Sequence, residues 1–333
     1  MKGIFTIVFF WFTLTMLWAQ FPGCPDVDAG ADQTTDCPNQ CTTLTAAPIV
    51  SGLTTSYTAS AVEYAPPIAF NAPGGTPISV ATDDVWSPTI QLPFNFCFYG
   101  QTFTACQVGS NGAIRMGPGN TGNHPWMFSS QVPSTNLVAA GNIFGIYHDI
   151  DPSVPVAGGG QVRWYLLGEA PCRIFVVSFF EMAHFSCNNL RSTHMMVLYE
   201  TTNVIDVYVE KKQTCNSWNG GRAVIGIQNF TGTQGVAAPG RNTGPWTVTT
   251  PEAWRFSPAG TPTYTISWFQ GNQLISNDLS IQVCPSATTT YTASVTYTPC
   301  AGGNPVTVTD DVTVNVNQGF VPSFAPIPSS YCT

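Results

Sequence analysis

Residues 148–152, with the sequence HDIDP, carry the residue types best suited to hold a metal ion. In an extended backbone Asp149 and Asp151 project to the same side, because side chains alternate along a strand. With backbone carbonyls they could bind Ca²⁺, a hard cation that takes about six to eight oxygen ligands. Two acids alone fall short of that shell, so we favour a strand end turned by Pro152, in which both aspartates accept hydrogen bonds from backbone amides. Two further acidic pairs present the same alternatives with less support for a metal: Asp83-Asp84 and Asp310-Asp311.

Three loops place a tryptophan beside asparagine and glycine, and so combine an apolar ring with hydrogen-bonding groups. This combination suits a sugar ring or a protein partner. The alternative is that each ring anchors its own loop in the fold, because ordering a glycine-rich loop costs conformational entropy. We expect that alternative for two of the three loops. The candidate ligand-binding residues are Trp126, Trp218 and Trp246.

Known catalytic motifs are missing from the sequence, which has no G-x-S-x-G, no H-E-x-x-H and no phosphate-binding glycine-rich loop. There are only 4 histidines, and His194 alternates with apolar residues, as a structural residue in a strand does. We therefore predict that the chain is not an enzyme and needs no cofactor, apart from the Ca²⁺ considered above. A secreted hydrolase is the alternative, since triads assemble in space; it requires a nucleophile and an acid beside His148 or His184.

The cysteines indicate a disulfide framework. There are 11 of them, without the CxxC or short Cys/His spacing of a zinc site, and thiols of exported proteins normally form disulfides. The odd number leaves one over, and Cys332 is the candidate. Cys97, Cys106 and Cys172 compete with one another for partners. The favoured pairs are Cys187–Cys215, Cys284–Cys300, Cys37–Cys41 and Cys97–Cys172, with Cys24–Cys106 as a possible fifth.

The N-terminus has the layout of a secretory signal peptide. Lys2 precedes a nearly unbroken apolar run over residues 4–16, and Ala19 is a small residue suited to cleavage. The run is too short to cross a hydrocarbon core of about 30 Å. We predict that residues 1–19 are removed, that the mature chain has no transmembrane segment, and that it is secreted.

The charge balance argues against a nucleic-acid partner. The chain has 10 Lys+Arg against 18 Asp+Glu, a net charge of −8, whereas nucleic-acid binding needs a basic patch. Charged residues make up 8% of the chain, against about 25% in an ordinary soluble domain. The surface must therefore consist mostly of uncharged polar residues, which suits an extracellular β protein.

Strands must position these side chains, because no segment shows a sustained helical period. Residues 161–167 and 173–180 flank a Gly/Pro turn and predict a hairpin, and residues 195–199 and 204–209 predict another. Residues 223–227 form a fully apolar run that predicts a central strand. The fold class that follows is all-β.

Composition divides these strands into two units. Residues 20–258 predict one large β-sandwich with a cysteine-rich lead-in, since all-β domains reach about 200–250 residues. Residues 259–317 predict a small immunoglobulin-like sandwich, with Trp268 on a strand. Residues 318–333 are rich in Pro and Ser and predict a linker that leads into a further module after Thr333.

Several segments in order resemble the nidogen-like extracellular domain over residues 93–229. They are PFNFCFYG (93–100), GSNGAI (109–114), HDIDP (148–152), GQVRWY (160–165), MVLY (196–199) and AVIGIQ (223–228). A closer likeness adds TDDVWSP (82–88), SWNGG (217–221) and PGRNTGPW (239–246). These segments resemble the repeated surface modules of Bacteroidetes gliding-motility-associated and adhesin-like proteins.

The resemblance implies a nidogen-like sandwich followed by immunoglobulin- or PKD-like modules, type IX secretion through a C-terminal sorting domain, and a role in adhesion or display. It supplies no catalytic residue. We therefore expect a non-catalytic module of a secreted cell-surface protein whose partner is a surface glycan or a protein. A carbohydrate-binding module is the first alternative, and a secreted hydrolase is the second.

Overall fold

The computed structural model describes residues 21–124, 126, 130–136, 141–156, 159–300 and 303–317. The predicted signal peptide (residues 1–19) and the whole predicted linker (residues 318–333), with Cys332, lie outside the described residues. The described residues form an all-β protein, as predicted, with one 3-10 turn at Asn219–Gly221. No helix among them is long and apolar enough to cross a membrane.

The strands follow one another along the whole described chain. In chain order they are β1 (Val27–Asp28), β2 (Gln33–Thr35), β3 (Thr42–Thr45), β4 (Ala47–Pro48), β5 (Tyr57–Val62), β6 (Thr76–Pro77), β7 (Ile90–Phe98), β8 (Gln101–Gly109), β9 (Ala113–Met116), β10 (Asn142–Tyr147), β11 (Gln161–Leu167), β12 (Ile174–His184), β13 (Cys187–Tyr199), β14 (Ile205–Lys212), β15 (Arg222–Gln228), β16 (Gly235–Pro245), β17 (Glu252–Pro258), β18 (Tyr264–Gln270), β19 (Gln273–Ser276), β20 (Ser280–Val283), β21 (Thr289–Tyr297) and β22 (Val306–Val316).

Two antiparallel sheets form the large sandwich. One has six strands in the order β16-β15-β10-β9-β8-β7, and the other has seven in the order β5-β17-β14-β13-β12-β11-β6. The predicted hairpins are β11–β12 and β13–β14, and β15 is an interior strand between β10 and β16. Alternating apolar residues of both sheets meet in one core, which includes Phe96, Ile143, Phe179 and Val207.

The outer faces of both sheets are also covered. On the seven-stranded sheet Tyr199 and Tyr208 pack with Phe70 and Phe21 from the preceding loops. On the six-stranded sheet a smaller cluster surrounds Phe144. Because strands buried on two faces cannot alternate cleanly between apolar and polar residues, β10 and β12 are nearly continuous apolar runs.

The small sandwich includes the N-terminal lead-in, which we had assigned to the large sandwich. Its five-stranded sheet has the order β19-β18-β21-β22-β2, with β2 parallel to β22, and β3 pairs with β20. Leu44 from β3 is fully buried in the same core as Trp268. The strands after residue 258 leave one apolar face uncovered, and the lead-in supplies the residues that bury it.

Disulfides join the units in a way that differs from most of the predicted pairs. The predicted Cys187–Cys215 bond is present. The pairs Cys284–Cys300, Cys37–Cys41, Cys97–Cys172 and Cys24–Cys106 are wrong. The structure instead has Cys24–Cys172, Cys41–Cys284 and Cys97–Cys300; Cys37 is in a disulfide that does not include Cys41, and Cys106 is a buried free thiol.

Strand register explains one of these corrections. Thr42 of β3 lies opposite Val283 of β20, so the next residues outward, Cys41 and Cys284, face each other. The Cys97–Cys300 bond links β7 of the large sandwich to the connection between β21 and β22 of the small one. The eight cysteines that we predicted to be in disulfides are all bonded, but the partners depend on pairings far apart in sequence.

Candidate functional site

Three aspartates meet at one end of the six-stranded sheet. Asp149 lies just after β10, whose pairing with β15 is irregular between Phe144 and Tyr147. Asp83 and Asp84 lie in the loop before β7. One carboxylate oxygen from each aspartate lies within 4.8 Å of the other two. We call these three residues the aspartate cluster.

The turn between β8 and β9 holds the aspartate cluster together. The side-chain amide nitrogen of Asn111, Nδ2, donates to Asp84 Oδ1 at 2.8 Å. Asn111 Oδ1 accepts a hydrogen bond from the backbone N–H of Ile150 at 3.0 Å. Gly112 is required here, because it has φ +83° and a Cβ would lie 2.2 Å from the carbonyl oxygen of Ile146. The turn at residues 110–112 therefore positions the site as well as joining β8 to β9.

Asp151 is not part of this cluster, although the sequence pairs it with Asp149. Its Oδ1 accepts hydrogen bonds from the backbone N–H and the hydroxyl of Ser153, at 2.9 and 2.5 Å. This is the turn geometry that we favoured for the segment before Pro152. The structure thus gives Asp149 two partners from a loop about 65 residues earlier, which spacing alone does not reveal.

Burial and mutual repulsion make two members of the aspartate cluster, Asp149 and Asp83, hard to ionise. Burial raises the pKa of Asp149 to about 7; the Trp218 indole N–H lowers it, and the charges of Asp84, Asp83 and Asp151 raise it further. Burial raises the pKa of Asp83 to about 6, with further contributions from Asp84 and Asp151. Near neutral pH the cluster therefore gains from any added positive charge.

Two of the three predicted tryptophans lie beside the aspartate cluster. The indole nitrogen of Trp218 donates to Asp149 Oδ2 at 2.6 Å. The Trp218 ring lies 5.4 Å from that of Trp126 and 5.0 Å from that of Phe185. Trp126 and Trp218 are both partly exposed. They form an aromatic pair from two separate loops, which we call the tryptophan pair.

Trp246, the third candidate ligand-binding tryptophan, has a buried ring. It is 8% exposed, and its indole nitrogen donates to the carbonyl oxygen of Ala223 at 3.0 Å. The ammonium group of Lys212 lies 4.7 Å from the centre of its ring. Val248, two residues later, pairs with Lys212 in an isolated antiparallel bridge. Trp246 is a structural anchor, so it is not a ligand-binding candidate.

A chain of buried polar groups lies beneath the aspartate cluster. The Ser192 hydroxyl is 3.0 Å from His148 Nε2 and 2.8 Å from His184 Nε2. Burial lowers the pKa of His184 to about 3 and that of His148 well below its usual value. Both imidazoles are therefore neutral near pH 7. Ser192 carried no sequence signal, because its partners come from a different strand and a loop.

The arrangement of Ser192, His148 and His184 meets only part of what a hydrolase requires. Ser192 contacts both histidines that the sequence singled out, but Ser192 is fully buried. The other ring nitrogen of His184 has no hydrogen-bond partner among the described residues, so no acid orients that ring. A nucleophile must reach its substrate, and the buried Ser192 hydroxyl lacks that access.

Comparison with known proteins agrees with this architecture. A family model described as NIDO related matches residues 56–266, from the start of β5 to β18. No curated protein matches the chain, and no solved structure does. The disulfides and the extracellular type of this domain fit an extracellular location. Since this family model matches more than half of the chain, the protein belongs to the NIDO-related family.

Proposed function

We propose that this chain is a non-catalytic extracellular module of an adhesin-like surface protein, in which loops of the large sandwich contact the partner. The NIDO-related match suggests an extracellular module. The small sandwich, joined to the large one through Cys97–Cys300, serves as a spacer. The expected signal peptide at residues 1–19 would direct export, and the likeness to Bacteroidetes modules favours type IX secretion as the route.

The tryptophan pair is the observation that carries the proposal. Large aromatic rings normally lie inside a protein or at a site of contact with a partner. Trp126 and Trp218 are partly exposed and come from separate loops, yet Asp149 and the Cys187–Cys215 bond fix the Trp218 loop. A rigid aromatic surface of this kind loses little conformational entropy when a ligand binds.

The burial of two potential nucleophiles, Ser192 and Cys106, supports the non-catalytic part of the proposal. The Ser192 hydroxyl, which has two imidazole neighbours, is fully buried between the sheets. The buried thiol of Cys106 has a pKa raised by burial to about 12, so it is not a nucleophile near neutral pH. Both groups are better explained as satisfied or apolar interior residues than as reacting groups.

Carbohydrate binding is the second candidate function, and the surroundings of the tryptophan pair favour it. Indole faces pack against the apolar side of a sugar ring, and nearby polar side chains form hydrogen bonds with its hydroxyl groups. The exposed side chains of Asn216 and Ser217, next to Trp218 in the chain, offer hydrogen-bonding groups for this purpose. A surface glycan is thus the ligand that we favour over a protein.

The experiment measures binding of the full chain to a glycan array and to immobilised extracellular-matrix proteins. Variants Trp126→Ala and Trp218→Ala are compared with Leu274→Ala, which removes an apolar side chain that is 50% exposed on the small sandwich. We expect the two tryptophan variants to lose at least about tenfold in affinity, with the control unchanged. Binding to matrix proteins alone favours a protein partner over a glycan.

Two outcomes contradict the proposal. One is binding that survives both tryptophan substitutions at full strength, which would move the contact surface elsewhere. The other is a lack of binding to every glycan and matrix protein by folded chain, with folding checked by circular dichroism. Turnover of a glycan during the assay would revive the hydrolase alternative.

A further inference from the structure

The aspartate cluster holds three acids without a compensating positive charge. None of the ion pairs in the described part of the chain includes Asp83, Asp84 or Asp149. Asp151 adds to the negative potential felt by Asp83 and Asp149. The chain has only 10 Lys+Arg, and within its described part none of them forms an ion pair with a carboxylate of this cluster.

Buried oxygens point to a ligand at this place. Asp149 is only 5% exposed, and its Oδ1 is buried with no hydrogen-bond partner among the described residues. Asp83 Oδ1 is also buried and lacks a partner within the described part of the chain. Burying a carboxylate oxygen without a partner is unfavourable, so such atoms are usually hydrogen-bonded or bound to a metal.

The donor set selects the class of ligand. All three residues offer carboxylate oxygens, and neither a thiolate nor an imidazole nitrogen belongs to the group. Hard cations prefer this set, whereas zinc and copper prefer nitrogen and sulfur. Three carboxylates can supply up to about six oxygens, and water completes a shell of about six to eight. Asp149 and Asp151 alone offer too few oxygen ligands for such a shell, whereas Asp83, Asp84 and Asp149 together offer enough.

We propose that Asp83, Asp84 and Asp149 form a calcium site that joins the loop before β7 to the end of β10. The ion neutralises the charge that these segments bring together. Asp149 also accepts the Trp218 indole N–H, so the ion fixes the carboxylate against which that ring is oriented. The site depends only on these three residues and does not depend on the glycan or protein proposed above.

Terbium luminescence tests this site on the full chain. Tb³⁺ occupies calcium sites and emits when a nearby indole transfers energy to it. Trp218 Nε1 is 2.6 Å from Asp149 Oδ2, so a bound Tb³⁺ would lie close to that ring. Chain stripped with EDTA is titrated with Tb³⁺, and Ca²⁺ or Mg²⁺ is then added to about 10 mM, since extracellular calcium sites bind at about 0.1–1 mM.

The variants are Asp149→Asn and Asp83→Asn, and Asp311→Asn is the control. Asp311 belongs to an acidic pair on β22 of the small sandwich and loses the same charge when substituted. We expect saturable luminescence that Ca²⁺ displaces at lower concentration than Mg²⁺. Each of the two cluster variants should weaken the affinity at least about tenfold, and the control should match the native chain.

Folding of each variant is checked by circular dichroism. If Asp149→Asn fails to fold, Asp83→Asn is decisive by itself, because Asp83 is partly exposed and its substitution is better tolerated. Three results overturn the proposal: luminescence that does not saturate, displacement by Mg²⁺ at or below the concentration needed for Ca²⁺, or equal affinity in Asp83→Asn and Asp311→Asn. Displacement by Ca²⁺ together with a selective loss in the cluster variants supports it.

Discussion

His194 should make the protein sensitive to mild acid. It is fully buried on β13, where its ring stacks on that of Phe179 with 4.6 Å between the ring centres. Neither ring nitrogen has a hydrogen-bond partner among the described residues. Burial lowers the pKa of His194 to about 3. The folded chain therefore keeps this imidazole neutral across the range in which an unfolded chain protonates it, near pH 6.5.

The sign and size of the effect follow from this difference in pKa. Below pH 6.5 the unfolded state binds a proton that the folded state does not, so the free energy of unfolding decreases as the pH falls. From pH 7.5 to 5.5 one such group costs about 1.3 kcal/mol, and the loss continues toward the folded-state pKa of about 3. The variant His194→Leu, which is close in volume, removes this contribution.

Urea unfolding of native chain and His194→Leu at several pH values between 7.5 and 5.5 measures the difference. Contributions from Asp149, Asp83 and the other histidines occur in both proteins and cancel. We expect the native chain to lose about 1.3 kcal/mol more than the variant, with equal dependence on urea. Parallel curves, within about 0.3 kcal/mol, would refute a neutral, unpartnered imidazole at this position.

Three further experiments test an ion pair, a buried thiol and a disulfide. Asp206→Asn should cost about 3–5 kcal/mol in urea unfolding, because it leaves the Arg255 guanidinium without its buried carboxylate, and adding Arg255→Met should recover much of the loss. Cys106, whose pKa is raised by burial to about 12, should resist iodoacetamide in the native chain and react once unfolded in urea, as mass spectrometry would show. Replacing Cys97 and Cys300 with serine should lower stability by about 2–5 kcal/mol in thermal unfolding.

Local patterns predicted the strands well, because hairpins and turns depend on neighbouring residues. The predicted strand over residues 161–167 coincides with β11 (Gln161–Leu167). Gly271 adopts φ +56° in the turn between β18 and β19, a backbone conformation that glycine tolerates. Such features need only alternation along a strand and a residue that tolerates positive φ.

Pairings across the chain were beyond the reach of these patterns. The lead-in carries few apolar residues, so nothing in it indicated that Leu44 completes the core of strands more than 200 residues later. The disulfide partners followed from the same pairing, since Cys41 adjoins β3 and Cys284 adjoins β20. A correct placement of β3 would have excluded the predicted Cys37–Cys41 bond.

The candidate site was predictable only in part. The HDIDP motif directed attention to Asp149, and the loop compositions directed it to Trp126 and Trp218. Joining these to Asp83 and Asp84 required knowing that the loop before β7 lies next to the end of β10. An available signal was the acidic pair at Asp83-Asp84 beside an aromatic residue, in a chain where charged residues are only 8% of the total.

Asp206 and Asp149, the two most buried aspartates among the described residues of the large sandwich, have different hydrogen-bond and charge partners. Asp206 is fully buried, and it receives two hydrogen bonds from Arg255 at 2.8 and 2.7 Å and one from the Tyr199 hydroxyl at 2.9 Å. The fold thus provides a cation where one carboxylate is buried alone. At Asp149 it provides a single indole N–H and two further acids. An isolated buried charge must be paired, protonated or bound to a metal. Arg255 meets this requirement at Asp206. At Asp149 it has to be met by an ion from outside the chain or by a bound proton. Calcium titration distinguishes these two cases directly.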